Sequence, residues 1–250
     1  MPGRTLTGQA TYGNALSVTG ASSQYARRAV VSTVTNNFTM SCWVKITSYG
    51  AGNTFIFQNG ANDANGMALY ITNAGVLHGD ISFVADVNSA FTLNTATWYH
   101  IAWIRNGGTS QLYVNAVAKG STSASTPNSP GSWTTIGAWA NAAGTVSGYF
   151  TGLIDDVRFY ERAISTTELT NMYNKGLDAS LNDIDTSNLK LWLKLDESSG
   201  TSCSDSSGNS NTLTTSGTPT FTTGVVQISN IPARSSASSR TAAGTRTLAT

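Results

Sequence analysis

The side chains best suited to chemistry lie close together in a segment rich in serine and glycine. Carboxylates and an amide occur there at Asp196, Glu197, Asp205 and Asn209. A calcium ion takes several oxygen ligands from carboxylates, amide carbonyls and backbone, and flexible Ser/Gly spacing lets backbone carbonyls join them. We therefore expect a calcium site that includes Asp196, Asp205 and Asn209. The alternative is that Asp205 and Asn209 form Asx turns, which need no metal.

A second set of carboxylates, Asp155 and Asp156, does not have the arrangement of a glycosidase. Such an enzyme needs two carboxylates that face each other across the scissile bond. Adjacent residues of a regular strand point to opposite faces, so these two are not expected to share a substrate atom. The sequence has only His78 and His100 as histidines and contains no nucleophile-elbow motif. We therefore expect no enzymatic activity.

Two tryptophans are candidates for glycan binding. Trp133 and Trp139 lie in the loop-rich segment SPGSWTTIGAWANAAGT, with Asn141 close by. Glycan sites commonly combine aromatic faces with fixed hydrogen-bonding groups, so these three residues form a candidate carbohydrate site. The alternative is that each tryptophan is half buried and covers the end of a sheet.

The last part of the chain, residues 227–250, has few large apolar side chains and no acidic residue. Such a composition does not fold on its own. We expect an extended arm that binds a protein partner, with its arginines pairing with carboxylates of that partner. The candidate contacts are an apolar pair at the root and three arginines spaced six residues apart: Ile228, Ile231, Arg234, Arg240 and Arg246.

The elements that must position these residues are mostly strands. From Asn14 to Tyr160, short Thr, Val, Ile and aromatic runs are separated by Gly, Asn and Ser, which is typical of a many-stranded sandwich. In the segment FTMSCWVKI, every second residue is apolar and is expected to face a core. These residues are Phe38, Met40, Cys42, Val44 and Ile46, and Thr39, Ser41, Trp43 and Lys45 are expected to face the other way.

A hairpin and a helix complete the predicted elements. The runs WYHIAWIR and QLYVNAV are joined by Asn106–Ser110, whose glycines supply the positive φ of a tight turn. A strand over 152–160 precedes Ser165-Thr166-Thr167-Glu168, a capping box that starts a short helix ending near Gly176. The sequence therefore predicts an all-β fold of two antiparallel sheets with one short helix.

The composition of the chain limits the number of domains and the kinds of partner that can be expected. The chain has 250 residues, of which 40% are hydrophobic and 11% charged, with a formal net charge of +1. One sandwich domain accounts for this length, and the low charge predicts no nucleic-acid partner. No apolar run reaches the roughly 20 residues of a membrane helix, so we expect no membrane insertion. Cys42 and Cys203 are expected to be small buried apolar residues.

Four segments together resemble the laminin-G-like family of the concanavalin A-like lectin/glucanase superfamily. They are GNALSVTGASSQY, FTMSCWVKI, TWYHIAWIRNGGTSQLYVN and, most specific, GLIDDVRFYERAISTTEL. The resemblance covers most of residues 13–226. It implies a jelly roll of two packed antiparallel sheets, often with a calcium site and often with a glycan-binding role.

The chain departs from the family order in one respect. Members usually begin with a strand and loop similar to LKLWLKLDESSGTSCSDSSGNSNTLTTSG, which here occupies residues 189–217. A circular permutation explains this, with 13–176 as the main body, 177–187 as linker and 188–226 as the displaced first strand and loop of one domain, 1–226. Asp155 would then approach the calcium region. The alternatives are that the strand completes a neighbouring subunit's sheet or begins a truncated second domain.

The sequence predicts a non-enzymatic structural or binding module of a large assembly. The form we expect is an accessory protein of a phage virion, either a capsid decoration or a tail-attached protein, with capsid or tail proteins and further copies of the chain as partners. This rests on the missing export signal, the start at Met1, the lack of a catalytic constellation and the C-terminal arm. The alternatives are an extracellular or cell-surface carbohydrate-binding module and a glucanase-like hydrolase.

Overall fold

The computed structural model describes residues 10–11, 13–60, 65–81, 85–175 and 185–227. Within these residues the chain forms two antiparallel sheets of eight strands each, which we name sheet A and sheet B, and one α-helix. The two sheets pack face to face around a shared hydrophobic core. The all-β sandwich with one short helix that the sequence predicts is therefore confirmed.

The spatial order of the strands in each sheet differs from their order along the chain. Sheet A runs β11 (Val117–Ser123), β10 (Thr109–Val114), β9 (Trp98–Asn106), β4 (Phe38–Ile46), β15 (Gly152–Tyr160), β2 (Asn14–Val18) and β19 (Thr220–Thr223), and β16 (Leu189–Leu193) also pairs with β15. Sheet B runs β17 (Ser202–Cys203), β18 (Leu213–Ser216), β3 (Tyr25–Ala29), β12 (Trp133–Ile136), β5 (Thr54–Asn59), β6 (Met67–Ile71), β7 (Val76–Ile81) and β8 (Ala85–Thr92). Two short pairs join β1 (Ala10–Thr11) to β20 (Val226–Gln227) and β13 (Trp139–Ala140) to β14 (Val146–Ser147). The helices are α1 (Thr166–Lys175) and a 3₁₀ turn at Gly20–Ser22.

The central strand β4 shows how the sequence pattern builds the core. Its alternate residues from Phe38 to Ile46 are fully buried between the sheets, as predicted. Thr39, Ser41 and Trp43 face the other way but are buried as well. The reason is that α1 covers this outer face of sheet A, and Trp43 stacks on Tyr173 of the helix at a centroid distance of 5.7 Å.

The predicted hairpin of β9 and β10 is confirmed, with Gly107 and Gly108 at positive φ in its turn. The predicted second strand, QLYVNAV, is however two strands. Asn115 and Ala116 take φ values of 51° and 62°, which end β10 and turn the chain back into β11. The sequence prediction was wrong there because alanine is not a residue that signals a left-handed turn.

The capping box at the start of α1 is confirmed. The backbone N–H of Glu168 donates to Ser165 Oγ over 3.2 Å, and the backbone N–H of Ser165 donates to Glu168 Oε2 over 2.8 Å. Leu169 and Met172 then face sheet A and pack in a second apolar cluster with Tyr160 and Trp192. The helix is held against the sheet by this buried side.

Strand β16, from the segment that follows the predicted linker, pairs with β15 of the same chain. It opposes residues 157–160, while β2 opposes residues 152–154 on the same side of β15. This segment therefore pairs within the same sheet system as β15 of its own chain. The permutation itself, as a change of order relative to the family, stays a prediction.

Several predicted features lie wholly or partly outside the described residues. Residues 177–184 of the linker are among them, as are Ile228, Ile231, Arg234, Arg240 and Arg246 of the arm. Cys42 and Cys203 are described, and both are buried, as predicted; they form no disulfide with each other. In the part of the chain that the structure describes, no helix has the length and apolar character needed to cross a membrane.

Candidate functional site

The outer face of sheet B is the candidate ligand-binding face. In β6, Met67, Leu69 and Ile71 point into the core between the sheets, which leaves Ala68 and Tyr70 on the outer face. The same alternation in β7 sends Leu77 and Ile81 inward and His78 and Asp80 outward. In β8, Val87 is inward and Asp86 outward. Three neighbouring strands thus present one aromatic ring, one imidazole and two carboxylates to the same side.

A cavity of about 190 Å³ opens on this face. It is lined by Asn53, Phe55, Tyr70, Asp80, Ala85 and Asp86. We name it the sheet B cavity. Its lining combines aromatic rings with carboxylates and an amide, which is the composition of a site for small polar ligands.

Aromatic rings form the floor of the sheet B cavity. The Tyr70 ring stacks on that of His78 with 5.1 Å between centroids and on that of Phe55 with 5.3 Å. Trp139 lies 6.3 Å from Phe55 and extends the aromatic surface beyond the cavity lining. The backbone N–H of Phe55 donates to the carbonyl of Gly148, the residue after β14, and this bond holds the β13–β14 pair against β5.

The two carboxylates lie directly opposite each other in the pairing of β7 and β8. The Tyr70 hydroxyl donates a hydrogen bond of 3.0 Å to Asp86 Oδ2, and His78 Nδ1 is 3.9 Å from the same oxygen. Burial raises the pKa of Tyr70, with the Asp86 carboxylate adding to the effect, so this hydroxyl keeps its proton. Burial lowers the pKa of His78 despite the nearby Asp86, so the imidazole is neutral at pH 7.

The three residues predicted to bind glycan have different surroundings. Trp139 borders the sheet B cavity through Phe55. Trp133 instead stacks under the Arg27 guanidinium at 4.4 Å, which matches the alternative that it covers the sheet. Asn141 Oδ1 accepts a hydrogen bond from the backbone N–H of Thr145 inside the turn of β13 and β14. Of the three, Trp139 alone lies beside the candidate site, and a glycan role for it stays a prediction.

Sequence reasoning missed the residues that line the sheet B cavity. Tyr70, Asp80 and Asp86 lie at outward positions of β6, β7 and β8. Asn53 directly precedes β5, and Phe55 is the second residue of β5. The alternation in MALYI and VLHGDI was a usable signal, because each has polar or aromatic residues between core residues. The alternation does not show that β6, β7 and β8 are neighbours, because their order is known only from the strand pairing in the sheet.

The predicted calcium residues divide into two groups. Asp155 and Asp196 lie near each other. Asp155 is buried in β15 between the stretches that pair with β2 and β16, and its Oδ2 accepts from the backbone N–H of Val225. Asp196 Oδ1 accepts from the backbone N–H of Asn14 in β2. Burial raises the pKa of Asp155 to about 9, and the nearby Asp156 and Asp196 carboxylates add to this. Burial also raises the pKa of Asp196. Carboxyls that are costly to ionise fit a nearby cation.

Asp205 and Asn209 are engaged in turns. Asp205 Oδ1 accepts from the backbone N–H groups of Trp192 and Ser207, and its Oδ2 accepts from the Ser207 hydroxyl and the backbone N–H of Asn211. The Asn209 amide donates to the Leu189 carbonyl over 2.8 Å. These bonds match the Asx-turn alternative. Across the described ranges, no group of three or more His, Cys, Asp or Glu residues is arranged to hold a metal.

Asp156 belongs to a buried network on the outer face of sheet A. Its Oδ1 accepts hydrogen bonds from Arg158 Nε over 2.9 Å and from Trp192 Nε1 over 2.6 Å. The simple alternation expected for Asp155 and Asp156 does not hold, because the register shifts between Asp155 and Arg158 and Asp156 has a φ of 45°. Both carboxylates are nonetheless used in hydrogen bonds of the fold rather than facing a common opening.

The fold and the open, aromatic face of sheet B together define a lectin-like β-sandwich. A family model of the concanavalin A-like lectin/glucanases superfamily matches residues 19–170, more than half of the chain. The chain therefore belongs to this superfamily, as its sequence motifs indicate. No curated protein is similar enough in sequence to match.

Solved structures agree on the fold. A protein from Bacteroides ovatus, to which carbohydrate binding has been attributed, superposes with a TM-score of 0.61 at 20% identity, over 87% of this chain and 62% of its own length. The heptameric SAP-like pentraxin of Limulus polyphemus gives 0.52 at 14% identity, over 67% of this chain and 85% of the pentraxin. This chain thus spans about three fifths of the length of the Bacteroides protein.

Proposed function

We propose that this chain is a non-catalytic carbohydrate-binding module and that the sheet B cavity is its binding site. The observation that carries the proposal is the cavity itself, in which the floor of Phe55 and Tyr70 lies beside the carboxylates of Asp80 and Asp86. A sugar has apolar ring faces and a rim of hydroxyl donors, and this lining complements both. The carbohydrate binding attributed to the Bacteroides protein agrees with the proposal.

In this proposal the polar groups give specificity. Sugar hydroxyls donate to Asp86, whose side chain is about half exposed, and to Asp80 at the cavity wall. Asn53 adds an amide that can donate as well as accept. A hydrogen bond to a charged acceptor contributes roughly 1.5–3 kcal/mol, and an aromatic contact adds roughly 0.5–1.5 kcal/mol. A few such contacts suffice for binding one or two sugar residues.

A pair of tryptophan variants tests the location. The full chain is screened against a panel of oligosaccharides, and calorimetry then measures the dissociation constant of the best ligand for Trp139→Ala and Trp133→Ala. We expect Trp139→Ala to weaken binding at least about tenfold, or about 1.4 kcal/mol. Trp133→Ala, which removes a similar ring from the Arg27 stack, is the control and should stay within about twofold of the parent. Equal losses in both variants, or no ligand in the panel, would contradict the proposal.

A carbohydrate-binding role favours the extracellular or cell-surface location that the sequence analysis gives as its alternative. The virion role, the capsid or tail partners and self-association stay predictions of the sequence. They depend on the part of the arm beyond residue 227, which lies outside the described residues, and on surface contacts with a partner. Association of the full chain with itself is directly measurable by light scattering.

Calcium also stays a prediction, now centred on Asp155 and Asp196. A cation there would relieve the repulsion and desolvation that raise the pKa values of these two carboxyls. Since a ligand that binds only the folded state stabilises it, added calcium should raise the melting temperature and excess chelator should lower it. Asp155→Asn should remove this response. Asp205→Asn should destabilise the loop but leave the response to calcium unchanged. An unchanged melting temperature in chelator would contradict the calcium site.

A further inference from the structure

His78 contacts two residues that line the sheet B cavity without belonging to the lining itself. It points outward from β7, directly opposite Tyr70 on β6 and Asn88 on β8. Its ring stacks on that of Tyr70 with 5.1 Å between centroids and an interplanar angle of 27°. Its Nδ1 atom lies 3.9 Å from Asp86 Oδ2. A charge on His78 would therefore act on both lining residues.

The Nδ1 atom of His78 is buried and has no hydrogen-bond partner in the described part of the chain. The 3.9 Å to Asp86 Oδ2 is too long for a hydrogen bond. A neutral imidazole has one donor nitrogen and one acceptor nitrogen, whereas a protonated imidazole donates from both. Protonation would therefore give Nδ1 a reason to close on Asp86, which it lacks when it is an acceptor.

The titratable groups around His78 are Tyr70 on β6, Asp86 on β8 and Asp80 on its own strand, while Asn88 on β8 is neutral. Burial and the Asp86 carboxylate raise the pKa of Tyr70, so its hydroxyl stays protonated. Burial lowers the pKa of His78, and the Asp86 carboxylate opposes this effect. In mild acid the charge that changes here is that of the imidazole, and the carboxylate that stabilises its protonated form is Asp86.

An ion pair with His78 would compete with a bound sugar. Asp86 Oδ2 already accepts the hydrogen bond of the Tyr70 hydroxyl over 3.0 Å, and in the proposed function the carboxylate also accepts from sugar hydroxyls. Hydrogen bonds to an ionised acceptor are stronger than those to a neutral one. A protonated His78 would offset the charge of Asp86 and draw its carboxylate toward β7. The sugar would then lose its charged acceptor.

We propose that protonation of His78 releases the carbohydrate from the sheet B cavity, so that the ligand is bound at neutral pH and released in mild acid. This inference rests on the proposed carbohydrate-binding function and adds its regulation. Because the ligand binds the form with neutral His78, binding and protonation oppose each other reciprocally. With one proton involved, the affinity falls by at most about tenfold for each pH unit.

Four neutral oligosaccharides test this regulation with the full chain: cellohexaose, xylohexaose, mannohexaose and maltohexaose. None of them titrates, so a change of affinity with pH comes from the protein. Calorimetry is done at about pH 7.5 and about pH 5, on either side of the ordinary range of a histidine. We expect the dissociation constant of the probe that binds best to be at least about fivefold larger at the lower pH. Circular dichroism confirms that the chain is folded at both pH values.

The two histidines of the chain, His78 and His100, provide a matched pair of variants. His78→Gln keeps a polar side chain that cannot take up a proton, so its dissociation constants at the two pH values should agree within about twofold. His100→Gln is the control. It removes a histidine that is buried under α1 on sheet A and should keep the ratio of the parent chain.

Proton NMR measures the coupling of His78 to Asp86 without a ligand. In His100→Gln the imidazole signals belong to His78 alone, and their titration midpoint should lie below the ordinary 6.5. Adding Asp86→Asn should move this midpoint lower still, because the carboxylate stabilises the protonated ring. Adding Asp185→Asn, which alters an exposed carboxylate beside Arg162, should leave the midpoint in place.

The outcomes separate this inference from the proposed function. If His78→Gln loses affinity in acid as the parent does, or if Asp86→Asn leaves the His78 midpoint unchanged, regulation by His78 is overturned while carbohydrate binding at neutral pH still stands. If neither these probes nor the wider panel binds at neutral pH, the proposed function fails, and the regulation fails with it.

Discussion

The outer faces of the two sheets differ in whether another element covers them. On sheet A, α1 covers the face, and the buried Arg158 pairs with Asp156 at 2.9 Å while its guanidinium lies 4.5 Å from the Trp192 ring. On sheet B, Asp80 and Asp86 face each other beside an open cavity. One face is covered by a helix and contains a buried ion pair, and the other carries a cavity with two carboxylates opposite each other in the pairing of β7 and β8.

This difference is the reason that the proposed binding site is placed on sheet B. A charge that is buried must be paired, so the network on sheet A is part of the stability of the fold. The outer face of sheet B carries a cavity instead. The comparison therefore separates a covered, structural face from the face on which the proposed binding site lies.

The largest expected effect comes from breaking the ion pair on sheet A. Arg158→Met leaves the Asp156 carboxylate buried without its cation, which should lower the free energy of unfolding by about 3–5 kcal/mol. Denaturation with urea measures this change. The double variant Asp156→Asn/Arg158→Met removes both charges and should lose less. A loss of under about 1 kcal/mol in the single variant would show that the pair is dispensable.

The next effect concerns the buried Asp155 of β15 and depends on pH. The pKa of Asp155 is about 9 in the folded chain against an ordinary value of 3.8, so between these values the folded state holds a proton that the unfolded state has released. Stability is then lost with a continuous slope as pH rises from about 4 to 9. Asp155→Asn should flatten this slope, measured by denaturation in chelator. A parent chain that gains stability over this range would contradict it.

A smaller effect is expected at acid pH from the buried histidine of sheet A. Burial, together with the nearby Arg158, lowers the pKa of His100 to about 3 from 6.5, so this imidazole stays neutral in the fold. As pH falls from about 6.5 to 3, the unfolded chain takes up a proton that the folded chain excludes, and stability is lost. His100→Gln should reduce this acid sensitivity. His78→Gln on sheet B is the control and should reduce it less, because His78 is less buried.

The smallest effect is expected on sheet B. Asp86→Asn removes a charge whose side chain is half exposed, so the free energy of unfolding should change by no more than about 0.5 kcal/mol. In the proposed function Asp86 accepts sugar hydroxyls, so the same variant should weaken binding while stability is kept. A loss of several kcal/mol would mean that Asp86 is structural and that the two faces are alike.

The sequence predicts the parts of this protein that depend on local pattern. The alternation of Phe38 to Ile46, the Gly107–Gly108 turn and the capping box of Ser165 and Glu168 all occur where expected, because each is determined by neighbours within a few residues. The pattern failed at Ala116 and at Asp156, where positive φ occurs in residues that rarely adopt it. Backbone irregularity of this kind depends on surroundings that a single sequence does not display.

By itself, the sequence determined that this chain is a two-sheet sandwich with one capped helix, since alternation and capping are local signals. It also placed the strand of Leu189–Leu193 in the same sheet system as Gly152–Tyr160 through its motifs. Only the tertiary structure decided that Trp43 is buried, that Trp133 and Trp139 belong to different clusters, and that Asp80 and Asp86 meet. The reason is physical. The position of a residue in its strand determines which face of the sheet its side chain points to, but the neighbouring strands and helices determine whether that face is covered, paired or open.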